Sequence, residues 1–463
     1  ERERERDWRL MDSKQHYPSV LMLPWLAHGH ISPFLELAKK LSQKNFHIYL
    51  CSTPINLKPI RENFSHNHFS SSSIQFIDIH LPSSPQLPPH YHTTKDLPPH
   101  LMSTLKTAFD AAKPAFCTLL KTLKPNLLIY DFLQPWAPLA AEEADNAVEA
   151  AAVFLTCGAA TCSFLNHCFV NPNTDYPFPS LNFPQSQLHK ITQFMHHTSN
   201  GVTNMERYIE CIKQSSNLVL IKTSKEIEAK YIEYFSVLAG KEVVPVGPLV
   251  DQDPVNNYKD DTMIMEWLRK KTSSSTVFVS FGSEYFLSKE EIEEIAYGLE
   301  LSQVSFIWVI RFHSGEKTRV HEVLPQGFLK RVGDRGMVVE GWAPQAKILG
   351  HSSIGGFVSH CGWSSTLEGV KFGVPIIAMP MHLDQPLNAK LVVEIGVGRE
   401  VKRENNERFK REDLARVIKE VVGQEGKEVL REKVRELSER MREKGDEEVD
   451  VVVEKLVQLI RKS

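Results

Sequence analysis

The chain has 463 residues, 42% of them hydrophobic and 24% charged, which is too long for one ordinary domain and sufficient for two cores. A net charge of −3 excludes the basic face of a nucleic-acid binder. Seven cysteines, odd in number and without metal-ligand spacing, exclude a disulfide framework and predict a reducing, cytoplasmic setting.

The first ten residues, ERERERDWRL, are a charged run without the apolar centre of a signal peptide. They are expected to form a disordered extension before a protein-like start at Met11. The longest apolar stretch, 150–165, is interrupted by Thr and Gly. It falls short of the roughly 20 residues a membrane span needs, so no stable membrane insertion is expected. From Ser19 onward strand and helix signals alternate. Strands are predicted at 19–23, 46–51, 74–79, 126–130, 151–155 and 218–222, and helices at 33–41 and 104–123. Residues 64–100 are rich in Ser, His and Pro. His66, His68, His90 and His92 lie there at i, i+2 spacing, but no Cys or carboxylate cluster accompanies them, so a solvated loop is expected and no metal site. The stretch 245–261 lacks periodicity and reads as a linker, with its core at 246–261. The pattern then restarts with strands at 277–281, 306–310 and 337–339, and Ser288 to Glu291 has capping-box spacing. The fold class is therefore α/β, with two doubly wound, Rossmann-like domains in tandem, 11–245 and 262–445. A charged tail keeps an apolar stripe through Val434, Leu437, Met441, Val449, Val452, Leu456 and Leu459, as an amphipathic helix packed on the body does.

The second domain carries the densest stretch, residues 342–385. An apolar strand ends at His360-Cys361-Gly362-Trp363, and Ser365-Thr366-Leu367-Glu368 has the spacing of a capping box opening a helix at Ser364 and Ser365. A second apolar run, 375–379, leads to Asp384-Gln385. A strand running into a helix N-terminus suits a phosphate, because free backbone N–H groups and the helix dipole face it. Trp342 and Trp363 offer flat faces for a base or a sugar, and Glu368, Asp384 and Gln385 can bind hydroxyls. In the first domain, Pro24 to Pro33 reads PWLAHGHISP immediately after the first strand, where ligand sites of open α/β sheets form. Gly29 would allow a tight turn there, and by position His28 and His30 are equal candidates for a general base. Asp131 ends another strand, where an Asp is ordinarily a turn or helix cap.

Together the stretch 342–385 resembles the signature box of plant secondary-product glycosyltransferases, which move sugar from a UDP-sugar to a small molecule. The match includes Trp-Ala-Pro-Gln, His-Cys-Gly-Trp, Glu368, Gly-Val-Pro and the closing Asp-Gln. The resemblance implies a GT-B architecture and a last helix, 446–463, crossing back to the first domain. It assigns the base to His30 and its partner to Asp131. It places the uracil on Trp342 with Ala343 and Gln345 beside it, the ribose on Glu368, and the hexose near Trp363, Asp384 and Gln385. His360, Ser364, Ser365 and Ser283 would serve the diphosphate. Where the family usually has Asn, this chain has Ser364. No cofactor or metal is implied, UDP-glucose being a co-substrate, and Gln385 goes with glucose as donor. PWLAHGHISPF and HCGWSS look like the branch that elongates sugars on existing glycosides, such as those of flavonoids or triterpenoids. Loops 80–100 and 157–200 would line the acceptor. Thr156, Thr161, Ser163, Asn166 and His167, interleaved with Phe154, Leu155, Phe164 and Leu165, are candidate partners for its sugar. A monomer is expected. Transfer to a bare aglycone is the alternative, as is a silent UDP-sugar-binding protein. A dinucleotide oxidoreductase is disfavoured because no Gly-x-Gly-x-x-Gly follows a first strand.

Overall fold

The computed structural model describes residues 17–66, 73–182, 185–250, 259–312, 319–403, 408–423 and 427–461. The expected extension 1–10, His68 and residues 251–258 of the expected linker lie outside these. Seven parallel strands form the first sheet: β1 (Ser19–Leu23), β2 (His47–Ser52), β3 (Ile74–Asp78), β4 (Leu127–Asp131), β5 (Ala150–Leu155), β6 (Leu218–Ile221) and β7 (Glu242–Pro245). Their spatial order is β3-β2-β1-β4-β5-β6-β7. The second sheet holds β8 (Thr276–Ser280), β9 (Ser305–Ile310), β10 (Gly336–Glu340), β11 (Ile354–Ser359), β12 (Ile376–Ala378) and β13 (Gly398–Glu400), in the order β10-β9-β8-β11-β12-β13. In each sheet the strand order reverses beside the first strand, between β1 and β4 (Val20 opposite Leu127) and between β8 and β11 (Phe278 opposite Phe357). That switch point leaves a crevice at the carboxyl ends of the strands. The central strands β4, β5, β8 and β11 are buried at every residue, because helices cover both faces of a parallel sheet.

Six helices matter for the site. They are α1 (His28–Gln43), α2 (Ala159–Val170), α3 (Lys225–Ala239), α4 (Trp363–Lys371), α5 (Gln385–Glu394) and α6 (Lys427–Arg461). Helix α6 is continuous, so the separate terminal helix expected from 446 is the second half of a longer one. Leu430 packs in the core of the second sheet, while Val452, Val453 and Leu456 pack with Val20, Met22 and Phe34 of the first. Ion pairs Lys44–Asp450 (2.5 Å) and Lys455–Glu242 (2.7 Å) flank that second contact. No helix among the described residues is long and apolar enough to cross a membrane.

Other expectations are corrected by local chemistry. The helix expected over 104–123 is two, Met102–Asp110 and Lys113–Leu123. Pro114 has no N–H to continue the first and suits the opening turn of the second. The capping box at Ser288 and Glu291 forms, whereas that at Ser365 and Glu368 does not: α4 begins at Trp363, with Gly362 before it and no side-chain cap. Segment 80–100 is more than a solvated loop, since Leu81, Leu87, His92 and Leu97 are buried and Thr94 N–H donates to the Leu26 carbonyl at 2.9 Å.

If α6 clamps the two sheets together, Leu456→Ala, at a position with no exposure, should destabilise by about 2–5 kcal/mol. Denaturant unfolding measures this. A loss below about 0.5 kcal/mol would show that the crossover carries little.

Candidate active site

Helix α1 starts directly after β1, so its first turn presents His28, Gly29 and His30 at the crevice. His30 Nδ1 lies 2.7 Å from Asp131 Oδ2, at the end of the neighbouring β4, and 3.2 Å from Thr156 Oγ1, just beyond β5. A carboxylate only accepts, so Nδ1 carries the proton and Nε2 holds the lone pair. Asp131 is fully buried and His30 is 19% exposed. Burial pulls the His30 imidazole down, but Asp131, by charge and hydrogen bond, and the more distant Glu284 and Asp384 outweigh it and hold it above the ordinary histidine range. His28, one position before the glycine, meets the edge of Trp342 at 5.7 Å between ring centroids. Burial lowers its pKa, against the pull of Glu284 and with the repulsion of Lys222 and Arg311.

Across the crevice, the second sheet presents its own switch point. His360 follows β11 and is wedged between glycines. A Cβ on Gly282 or Gly362 would stand 2.5 or 2.6 Å from its Nε2, and Gly282 has φ +77°, a conformation that favours glycine. Burial brings the His360 imidazole down to about 3, so it is neutral. Cys361 takes φ +63°, a strained turn for a side-chain-bearing residue. It aims the uncapped first turn of α4 into the crevice. Beside it, Gln345 Nε2 donates to Glu368 Oε2 at 2.7 Å and to Ser365 Oγ at 3.1 Å. Trp342 is 43% exposed, with the Arg311 guanidinium 5.9 Å from its ring centre. Asp384, on which burial pushes the pKa up, accepts from Asn388 Nδ2 at 2.9 Å. Gln385 Oε1 accepts the N–H groups of Met381 and His382 at 2.9 and 3.0 Å, which leaves its amide nitrogen to donate.

Residues 18–251 match the family described as "Glycosyltransferase, N-terminal domain", and residues 251–454 match "UDP-glucoronosyl and UDP-glucosyl transferase". The flavanone 7-O-glucoside 2''-O-beta-L-rhamnosyltransferase of Citrus maxima is 54% identical over 98% of this chain and 100% of its own length. The chain belongs to the plant UDP-dependent glycosyltransferases of natural-product metabolism. The beta-D-glucosyl crocetin beta-1,6-glucosyltransferase of Gardenia jasminoides is 48% identical over 95% of this chain and 98% of its own. Among solved structures, UGT73P12 of Glycyrrhiza uralensis, complexed with glycyrrhetinic acid 3-O-monoglucuronide, superposes with a TM-score of 0.83 over 96% of this chain and 97% of that one. At 24% identity it shows the shared fold, the GT-B arrangement.

Several residue expectations change in this glycosyltransferase. Gly29 sits in an ordinary helical turn with nothing within 4 Å of where a Cβ would stand, so it keeps space open rather than making a turn. Trp363 offers no open face to a hexose. It is 4% exposed, its ring lies 3.2 Å from the Cβ position of Gly158, and its Nε1–H donates to the Lys222 carbonyl at 2.5 Å. His360, held neutral, supplies no positive charge. Ser283 offers its carbonyl to Arg311 Nη1 at 2.5 Å. Three polar residues of α2 are spent inside the first domain, and a fourth, Thr161, reaches the second. Ser163 Oγ meets Tyr176 OH at 2.6 Å, Asn166 Nδ2 donates to Tyr208 OH at 2.7 Å, and His167 Nδ1 meets Tyr234 OH at 2.7 Å. Thr161 Oγ1 lies 3.5 Å from Asn388 Oδ1. Of that set only Thr156 reaches the crevice, beside His30. Sequence reasoning missed Lys222, Arg311 and Glu284. Lys222 stood in the sequence as the last residue of a predicted strand, and a lysine at an apolar strand's C-terminal end was the available signal.

The raised His30 pKa sets the pH response. If unprotonated His30 is the active form, kcat/KM falls as pH drops through a value above about 6.5, the ordinary histidine value. Asp131→Asn removes the carboxylate that raises it, so the acid limb should move to lower pH while kcat falls by about 10²- to 10⁴-fold. A pH–rate profile of both proteins is the check, and an acid limb that stays in place would refute the pairing.

Proposed function

We propose that the chain is an inverting glycosyltransferase that moves glucose from UDP-glucose onto a sugar hydroxyl of an existing plant glycoside, of the flavonoid or triterpenoid kind. The observation that carries this reading is the 2.7 Å His30–Asp131 pair, set at one switch point and facing the uncapped α4 terminus at the other. His30 Nε2 takes the acceptor hydroxyl proton as its oxygen attacks C1 of the sugar. The C1–O bond to the β-phosphate breaks on the opposite face, and UDP leaves. Asp131 fixes the tautomer and stabilises the imidazolium that forms. The positive pole of α4, with the first-turn N–H groups, receives the leaving diphosphate. Trp342 offers the exposed ring for uracil, with Ala343 and Gln345 following it in the chain, and Glu368 serves the ribose. Asp384 and the amide nitrogen of Gln385 serve the hexose.

Both curated relatives above are named for transfer onto glucosides, and this supports a glycoside acceptor. Their names differ in the sugar moved, rhamnose in one and glucose in the other. Gln385 is therefore the residue on which the choice of glucose rests. Charge stabilisation by a helix terminus needs no metal, so chelator should leave turnover unchanged. We place the protein in the cytoplasm.

His30→Ala should lower kcat by about 10²- to 10⁴-fold with UDP affinity near that of the wild type, and His28→Ala should cost far less. A dead His28→Ala beside an active His30→Ala would overturn the assignment. Offering a flavonoid and a triterpenoid, each as aglycone and as monoglucoside, with UDP-glucose, UDP-rhamnose and UDP-glucuronate tests the substrates. New glucose on a sugar hydroxyl, located by NMR, is expected. Transfer to the bare aglycones alone would reject the glycoside reading, and a higher kcat/KM with another donor would reject glucose.

A further inference from the structure

One buried charge has no role in the scheme above. Lys222 follows β6 in the first domain and is 2% exposed. Its backbone is held at both ends: its N–H donates to the Leu155 carbonyl at 2.8 Å, and its own carbonyl accepts the Trp363 indole. This fixes the direction of its side chain, which crosses to the second domain. There Nζ donates to Ser364 Oγ at 2.7 Å. Ser364 is the second residue of α4. A desolvated ammonium thus faces a neutral hydroxyl at the positive pole of a helix, where a cation is unfavourable and an anion is favoured. Burial is expensive for a charge without an opposite partner. The nearest attracting carboxylates, Glu368 and Glu36, only partly offset burial, which brings Lys222 down to about 8 and leaves it a cation at neutral pH. Four residues before Ser364 in the chain, the buried His360 Nδ1 has no hydrogen-bond partner among the described residues. Two features that favour an anion therefore meet at Ser364, the Lys222 ammonium and the positive pole of α4.

We propose that Lys222 is a catalytic residue whose ammonium binds the β-phosphate of the UDP-sugar and neutralises the charge that gathers there as the sugar leaves. This rests on the donor reading above and deepens it. On that reading the uridine end belongs to the second domain, at Trp342, Gln345 and Glu368, and the acceptor oxygen deprotonated by His30 attacks from the side of the first. The diphosphate must therefore run from the second domain toward the first, so a first-domain lysine meets the sugar-bearing phosphate rather than the α-phosphate. Ser364 makes room for it. A longer side chain at that position would fill the space Nζ occupies, so the lysine takes the place an Asn-type contact would have.

The test is calorimetric titration of uridine, UMP and UDP into wild type, Lys222→Met and Lys222→Arg, with kcat and KM on UDP-glucose. Lys222→Met should bind UDP about 10- to 100-fold more weakly, as for loss of one charged hydrogen bond, with uridine and UMP changed less than about threefold. Its kcat should fall, while Lys222→Arg should recover most of the UDP affinity. Lys222→Gln provides a second neutral variant should Lys222→Met fold poorly. Without ligand, removing a charge repelled by the helix should leave Tm at or above that of the wild type. Unchanged UDP affinity in both neutral variants would overturn the proposal. So would a loss equally large for uridine or for UMP, because the first marks a structural role and the second an α-phosphate contact. A wild type that binds no UDP would overturn the donor reading, and this role with it, before any variant is compared.

Discussion

The seating of Trp363 at the seam between the two sheets is the contact on which the site depends. Its ring fills the space left by Gly158 at the start of α2, and its N–H is satisfied by the Lys222 carbonyl. A buried indole combines a large apolar surface with one polar atom that must find a partner. Satisfying both from the first domain therefore fixes the position and the angle of α4. The first turn of α1 after β1 and the start of α4 after β11 are thereby held in a fixed relation, as the proposed in-line transfer requires. A β-carbon at Gly158 would meet both that ring and the Glu228 carboxylate, at 3.2 and 3.0 Å.

Glu228 shows how much polarity this seam tolerates. It sits at a non-helical residue inside α3 and is fully buried. It accepts the first N–H groups of α2, from Ala159 and Ala160, at 2.8 and 2.7 Å. Burial pushes its carboxyl up to about 7, while the helix terminus favours its anion. Asp131 and Lys222 are buried as well, and Asp384 is half-buried. Such groups cost stability wherever their partners are incomplete. Helix α6 meanwhile holds the domains together through apolar contact with both sheets.

The acceptor side is built differently from the donor side. Ser163, Asn166 and His167 of α2 pair with Tyr176, Tyr208 and Tyr234. That network stiffens the wall without offering it to substrate, since a buried polar group already paired gains little by exchanging partners. Thr156 stands outside that network, beside His30 at 3.2 Å, and Glu284 accepts from Thr94 Oγ1 at 2.9 Å. The Thr94–Glu284 bond also crosses from one domain to the other, from the packed 80–100 segment to the loop after β8.

Much was legible in the residues alone. Apolar runs of five or six residues between helical spacings mark strands of a doubly wound sheet, because a strand covered on both faces has no polar side to show. Ends of such strands are where crevices open, so His28, His30, Asp131 and the 342–385 stretch could be set at strand ends from order along the chain, while the choice of His30 and Asp131 came from the family resemblance. What a residue does with its side chain could not be, since that depends on partners hundreds of positions away. The Ser365–Glu368 spacing signals a cap, yet both side chains turn to Gln345 because Gly362 starts the helix earlier. Trp363 looks like a ligand platform until Gly158 is set against it. Lys222 is an unremarked strand-end lysine until the second domain brings Ser364 to 2.7 Å. Local pattern determined the elements and their order. Only the closing of one sheet against the other decided which polar groups are spent on structure and which remain for chemistry, because burial and pairing are properties of the assembled interior.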